Sequence, residues 1–333
     1  MADGNGAGLW AMAHLGTPMA LRVAATLRVA DHIVAGTRTA EAMAPLVKAD
    51  TDALERLLRY LAARKVLVRE ADGGYGLTAK GELLRDDHPD GMRAQIDIEG
   101  WTGRAELSFV HLLHSVRTGE AAYPLTFGRT FWDDMTTEPG LAAQFDASMA
   151  ADMPVRAPAI AKALDWGRLG HVVDVGGGDG SLVVELLSRH PELRGTVVDQ
   201  PETAEAARKA FAAAGLADRG DAVPGSFFDA LPAGAGGYVL SLILHNWNDH
   251  AAGAILRRCA EAAGAEGSVF VVENVGPDGE SPHTGMDLRM LAYYGGKERG
   301  VGDLAKLGAA CGLSVRGVYP AGVLSVVEMS ARA

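Results

Sequence analysis

From about Thr17 to Asp90 the apolar positions recur at helical spacing and predict three helices followed by a small hairpin. Leu21, Ala24, Ala25, Leu27, Arg28, Ala30 and Ile33, alternating faces at helical spacing, mark the first. Thr39 caps a second that runs to Leu46, and Thr51 or Asp52 starts a third that runs to Ala62. Val66 and Val68, the turn Asp72-Gly73-Gly74, then Tyr75 and Leu77 predict two short strands. Three helices and a β-wing are the outline of a winged helix. Helical spacing continues over 101–117 and 141–164, with Tyr123, Pro124, Phe127, Phe131 and Trp132 between them. Past Trp166 the period changes. Apolar runs of strand length at 171–175, 195–198, 237–244 and 268–272 alternate with helical segments, the pattern of a parallel sheet covered on both faces, and 222–227 is a weaker candidate strand. The last two strands, 313–319 and 324–329, are joined only by Pro320-Ala321-Gly322-Val323. That link is too short for a crossover helix, so they must run antiparallel.

The chain therefore reads as three segments: a mainly helical, winged-helix-like domain at 1–90, a helical connector and pocket wall at 91–165, and an α/β domain at 166–333. The sheet of that last domain is mostly parallel, with one reversed strand at the C-terminal hairpin. A length of 333 residues suffices for two cores. Aromatic residues are only 6% of the chain, so their concentration between Tyr123 and Trp132 suggests a lid or pocket wall; a connector with its own small core fits equally well.

Charge removes two partner classes. The net charge is −11, from 31 Lys and Arg against 42 Asp and Glu, and such a surface repels phosphate backbones and anionic lipid. A winged helix often binds DNA, yet residues 20–90 hold 11 basic and 11 acidic side chains and lack the positive footprint. No apolar run is long enough to span a bilayer, and the start of the chain lacks a secretory pattern. The two cysteines, Cys259 and Cys311, build neither a disulfide framework nor a zinc site, which fits a reducing cytoplasm.

Open parallel sheets bind ligands outside the carboxyl ends of their strands. The first strand ends in Asp174-Val175-Gly176-Gly177-Gly178-Asp179-Gly180, where glycines permit a tight turn and a ligand close to a helix N-terminus. Ser181 stands where the dinucleotide spacing needs glycine, and the phosphate-loop Gly-Lys-Ser/Thr is missing, so pyrophosphate is disfavoured. The second strand ends in Asp199, 23 residues beyond Gly176, placed to accept both hydroxyls of a ribose. The third leads into Gly225-Ser226-Phe227-Phe228, where Phe227 reads equally as a core residue or as a cover over a purine face. The fourth runs into His245-Asn246-Trp247, a candidate base followed by an indole that either packs in the core or covers the other adenine face. Glu273 ends the fifth, and Gly295-Gly296-Lys297-Glu298-Arg299 brings a second acid to the same edge. Two acids beside an imidazole can hold it in one tautomer; singly, each reads as a surface charge or cap.

In order and spacing, "DVGGGDG", the acid in "VVDQP", "GSFF", "LSLILHNWND", the Glu in "VVENV" and "GGKER" resemble the small-molecule O-methyltransferases that use S-adenosylmethionine. The resemblance spans nearly the whole chain, since that family also carries a winged-helix-like dimerisation domain before its Rossmann-like sheet. It is nearest to bacterial members from aromatic polyketide and antibiotic pathways. It implies S-adenosylmethionine as cofactor, S-adenosylhomocysteine as product, and no metal. Gly176 and Gly178 would then face the methionine end, Asp199 the ribose, Gly225, Ser226, Phe227 and Trp247 the adenine, and Ser241 the polar rim. His245 would be the general base on a phenolic hydroxyl, with Glu273 and Glu298 beside its ring. Phe145, Met149, Met286 and Met290 match the wall around a small aromatic substrate, or are plain helix core.

A helix predicted over residues 18–35 carries more apolar positions than a three-helix unit can bury, which predicts a homodimer through the N-terminal domain. The partner chain would help close the active site. Two residues depart from the family pattern: Asn246 replaces the usual Asp after the base, and Ser226 replaces an Asp in the adenine segment. The scaffold also hosts members that hydroxylate or decarboxylate instead of methylating, and Asn246 keeps that alternative open. A winged-helix regulator is the other.

Overall fold

Side-chain oxygens set two helix starts near the N-terminus: Thr39 Oγ1 accepts from the Ala42 amide and Asp50 Oδ1 from the Ala53 amide, which begins the helices Ala40–Val47 and Thr51–Ala63. The computed structural model describes residues 4–331, and the chain divides into two units, Met1–Leu107 and Ser108–Ala333. In the first unit these helices pack with Gly16–Thr26 and Val29–Val34 around Ala24, Met43, Leu54, Leu58, Leu61 and Tyr75. The wing is β1 (Leu67–Arg69) paired antiparallel with β2 (Tyr75–Leu77). Its cations are neutralised locally, Arg69 by Glu55 and Arg38 by Asp72.

The single helix expected over 18–35 is instead two. Arg28 takes a left-handed conformation, φ 51°, and breaks it. The break lets Ala20, Ala24, Val29, Ala30 and Ile33 all face the unit's own core, while Val34 stays 55% exposed. Further exposed apolar side chains lie upstream: Leu9, Trp10, Met12 and Leu15 are 64–84% exposed.

The second unit is built on a seven-stranded sheet of β3 (His171–Val175), β4 (Arg194–Asp199), β5 (Gly220–Pro224), β6 (Gly237–Ser241), β7 (Ser268–Glu273), β8 (Leu313–Ala321) and β9 (Leu324–Ala331), in the order β5-β4-β3-β6-β7-β9-β8. Only β9 is reversed; it pairs antiparallel with both β7 and β8, so the hairpin inserts its return strand between them. Successive residues alternate between two cores. Val172, Val197, Val239 and Phe270 join Trp166, Leu186 and Phe211 on one face, while Val173, Val198, Tyr238 and Val271 join Ile255, Leu256 and Leu304 on the other. This two-sided burial is why the strands read as unbroken apolar runs. Because β4 and β6 flank β3 on opposite sides, the crevice at the carboxyl end of β3 is the topological switch point. Among the described residues no helix is long and apolar enough to cross a membrane.

Candidate active site

Backbone hydrogen bonds tie the glycine turn to the neighbouring strand end. Gly176 N donates to Val198 O at 2.8 Å, and Gly178 N to Asp199 Oδ2 at 2.9 Å. Asp199 Oδ1 accepts from Gln200 N at 2.7 Å, and its carbonyl accepts from Gly225 N at 2.9 Å, so Gly176, Gly178, Asp199 and Gly225 form one connected rim. Gly176 has φ 76°, and a Cβ there would lie 2.6 Å from Ile243 Cδ1; only glycine fits. Gly180, also left-handed, opens the helix Ser181–Arg189.

Two carboxyls in this rim are perturbed. Burial pushes Asp199 upward against the pull of the Gly178 and Gln200 amides. Asp174, at the end of β3, is pushed to about 7, first by burial and then by the charges of Asp199 and Asp179. Its Oδ1 has no hydrogen-bond partner among the described residues. An acid whose folded pKa is raised costs stability once pH exceeds its unfolded value, and the cost is complete above the folded value. Asp174→Asn should therefore raise the melting temperature of the ligand-free protein more at pH 8 than at pH 5. A gain independent of pH would show that the carboxylate is not strained.

The strand expected over 222–227 stops at Pro224, so 225–228 is loop. Ser226 Oγ accepts from the Phe228 amide at 3.2 Å and shapes that loop. Phe227 and Phe228 meet Trp247 edge to face, with centroids 5.8 and 5.0 Å apart. Trp247 stacks on Trp132 at 6.0 Å and 16°, and Trp132 stacks on Tyr294 at 5.3 Å and 17°. Phe145 packs edge-on against Phe131 and Trp132. The rings of the aromatic stretch pack continuously from Phe131 and Phe145 through Trp132 to Trp247 and Phe228. Met290 is buried in the helix Thr284–Tyr294, with Met286 one turn earlier and half-buried. Met149, one turn beyond Phe145, stays 37% exposed. Ser241 ends β6, opposite Val272.

The run expected as strand over 237–244 also stops early. Leu242 turns left-handed, φ 56°, and the 3-10 turn Leu244–Asn246 that follows presents His245. Glu298 Oε1 lies 2.9 Å from His245 Nδ1 and Glu273 Oε2 lies 3.6 Å from it; both carboxyls are buried. Glu273 Oε1 also accepts from the His245 amide at 3.2 Å. Glu298 is the hydrogen-bond acceptor at Nδ1, while Glu273 Oε2 has no hydrogen-bond partner among the described residues and acts through its charge; the Glu298 contact fixes the proton at Nδ1 and leaves Nε2 as the basic nitrogen of the neutral ring. Burial alone lowers the imidazole pKa, but the Glu273 charge and the Glu298 hydrogen bond outweigh it and the net shift is upward. Burial raises Glu273 despite the charge of His245. The three ligand atoms lie within 4.8 Å of one another, a spacing that suits a metal ion as well as a proton. An ion at Nδ1 would displace the proton that fixes this tautomer.

Several supports were not read from sequence. Ser281 Oγ donates to Glu298 Oε2, and Asp287 Oδ1 accepts from the Glu298 amide. Tyr294, whose hydroxyl pKa burial raises, closes the aromatic ladder, and Trp132 Nε1 is buried with no partner among the described residues. Arg299 is buried beside the base. Of these, Arg299 had a sequence signal in its place next to Glu298, and Trp132 in the aromatic stretch between Tyr123 and Trp132.

A glycine turn, a ribose-type acid and an acid-flanked imidazole at the carboxyl ends of a sheet with one reversed strand define a methyltransferase-type α/β domain. The chain belongs to the O-methyltransferase family: the O-methyltransferase domain model matches residues 109–314 and the O-methyltransferase dimerisation domain model residues 11–87. It is similar to the 2,7-dihydroxy-5-methyl-1-naphthoate 7-O-methyltransferase of Streptomyces carzinostaticus, 54% identical over 97% of both chains. It also resembles the aclacinomycin 10-hydroxylase of Streptomyces purpurascens, 41% identical over 91% of this chain and 83% of that protein. Among solved structures, an O-methyltransferase from neocarzinostatin biosynthesis in complex with S-adenosyl-L-homocysteine and 1,4-dihydroxy-2-naphthoic acid superimposes with a TM-score of 0.90 at 53% identity, covering 97% of this chain and 98% of that one. The same enzyme with S-adenosylmethionine and 2-hydroxy-5-methyl naphthoic acid gives 0.89 at 53% identity over the same shares.

Proposed function

We propose that this protein transfers the methyl group of S-adenosylmethionine to a phenolic hydroxyl of a small, hydroxylated polycyclic aromatic acid of polyketide type, with His245 as general base. The observation that carries the reading is the placement of two buried acids at Nδ1, Glu298 at 2.9 Å and Glu273 at 3.6 Å, which leaves Nε2 as the basic nitrogen of a residue just past the carboxyl end of β6. Gly176, Gly178 and Asp199 would hold the methionine end and ribose, Gly225, Ser226, Phe227 and Trp247 the adenine, and Ser241 the rim. The wall of Phe145, Met149, Met286 and Met290 would seat the flat substrate. The cofactor supplies a methyl on a sulfonium. The oxygen attacks in line, the C–S bond breaks as the C–O bond forms, and the phenolic proton passes to Nε2. A phenol near ~10 and an imidazole near ~6.5 make full deprotonation before attack uphill, so proton transfer accompanies attack. The acids narrow that gap by raising the imidazole. A homodimer would form through the dimerisation domain, with the exposed Leu9, Trp10, Met12 and Leu15 supplying apolar surface for it and the partner chain helping to close the site.

Incubation with labelled S-adenosylmethionine and a panel of hydroxynaphthoic acids should yield products heavier by one methyl, with S-adenosylhomocysteine formed in equal amount. The likeness to a hydroxylase keeps a second reading alive. A product gaining oxygen or losing carbon dioxide, with no methyl, would select it and overturn the methyl-transfer reading.

A further inference from the structure

Arg299 carries its charge in the interior, with 2% of its side chain exposed, while the carboxylate it hydrogen-bonds, Asp249, is 67% exposed; its charge also acts on the buried Glu273. Such a charge needs hydrogen bonds more than it needs a solvated counter-ion. Each of its five N–H groups has an acceptor. Nη1 donates to Leu244 O at 2.8 Å and Lys297 O at 3.1 Å; Nη2 donates to Trp247 O and Asp249 Oδ1, both at 2.8 Å; Nε donates to Asp249 Oδ1 at 3.0 Å. Leu244 precedes His245 and Trp247 follows it by two.

The residues beside Arg299 close over the same stretch. Lys297 N donates to His245 O at 2.9 Å, and a Cβ at Gly296 would lie 2.2 Å from that oxygen, so the segment approaches only because it is glycine. Glu298 holds the ring itself. On the other side, the chain enters this turn through Leu242 in a left-handed conformation that leucine resists. A turn entered under strain keeps its geometry only if something outside it holds it.

We propose that Arg299 is a positioning residue for the base, pinning the backbone on both sides of His245 so that Nδ1 stays on Glu298 and Nε2 stays aimed at the reacting hydroxyl. The inference rests on His245 being that base. Lysine cannot substitute, because an ammonium lacks the planar fork that reaches Leu244 and Trp247 together.

The test compares Arg299→Lys, Asp249→Asn and His245→Ala in the full chain, reading kcat against pH, cofactor affinity and thermal stability. Arg299→Lys should lower kcat by up to about 10²-fold, the loss expected when a reacting group moves by about an ångström, with a smaller loss of cofactor affinity through Trp247. As the ring leaves its acids, burial lowers its pKa, so the acid limb of the kcat profile should move to lower pH by about half a unit or more. Asp249→Asn, at an exposed site that spares the fold, should give a smaller change in the same direction. Combining Arg299→Lys with Glu298→Gln should cost less than the sum of the two, since both act through one ring. If Arg299→Lys lowers the melting temperature but leaves kcat and its acid limb unchanged, Arg299 serves the fold alone and the inference is wrong. If His245→Ala keeps its turnover, the base reading falls and this inference with it; if only the arginine variants are silent, the base reading stands and this inference alone fails.

Discussion

His245→Ala is expected to cut turnover by about 10² to 10⁴-fold, the range for loss of a positioned proton acceptor, while leaving cofactor affinity nearly intact. His245→Gln should recover little, because a neutral amide orients a hydroxyl without accepting its proton. Raising the pH should partly restore both variants on a phenolic substrate, since solvent then supplies phenolate. The acids at Nδ1 add a sign. They raise the imidazole pKa over the opposing effect of burial, so the native enzyme should lose activity on acidification at a pH above that of an ordinary histidine. Glu298→Gln should move that limb downward. Near-normal turnover of His245→Ala at neutral pH would mean that proximity alone drives the transfer, and loss of cofactor binding would make the residue structural.

Asp199→Ala should weaken S-adenosylmethionine binding by roughly 2 to 4 kcal/mol if two charge-assisted hydrogen bonds to the ribose go, or about 30- to 900-fold. The carboxylate also accepts from Gly178 N and Gln200 N, so its removal loosens the glycine turn as well. Asp199→Asn separates the two effects. Its amide oxygen can still accept from Gly178, so it should preserve the turn and lose only the part of the affinity that depends on charge. Since burial raises Asp199, affinity in the native protein should begin to fall on acidification earlier than a solvated aspartate would require. Calorimetry across pH reads all three, and unchanged affinity in Asp199→Ala would place the ribose elsewhere.

By itself the sequence determined the wing and the capped helices of the first unit, the mostly parallel sheet with one reversed strand, and the strand ends that lead to Gly176, Asp199, His245 and Glu273. Those are local properties. A cap such as Thr39, a change of period after Trp166 and a glycine turn between strand and helix all act within a few residues, so a single chain displays them. Tertiary structure decided the rest. The apolar run after Tyr238 continues through Leu244, yet the strand ends at Ser241 because Leu242 turns left-handed, and two residues on, the Leu244 carbonyl accepts from Arg299. The helix expected over 18–35 breaks at Arg28 so that both halves can bury their small side chains in one core. Glu298 meets His245 across 53 residues, Arg299 reaches Leu244 across 55, and β9 enters the sheet between β7 and β8. Trp132, Trp247 and Tyr294 stack from three distant segments. Burial and the need to satisfy buried charged donors such as Arg299 select these contacts, and both depend on which surfaces meet in space rather than on residue order.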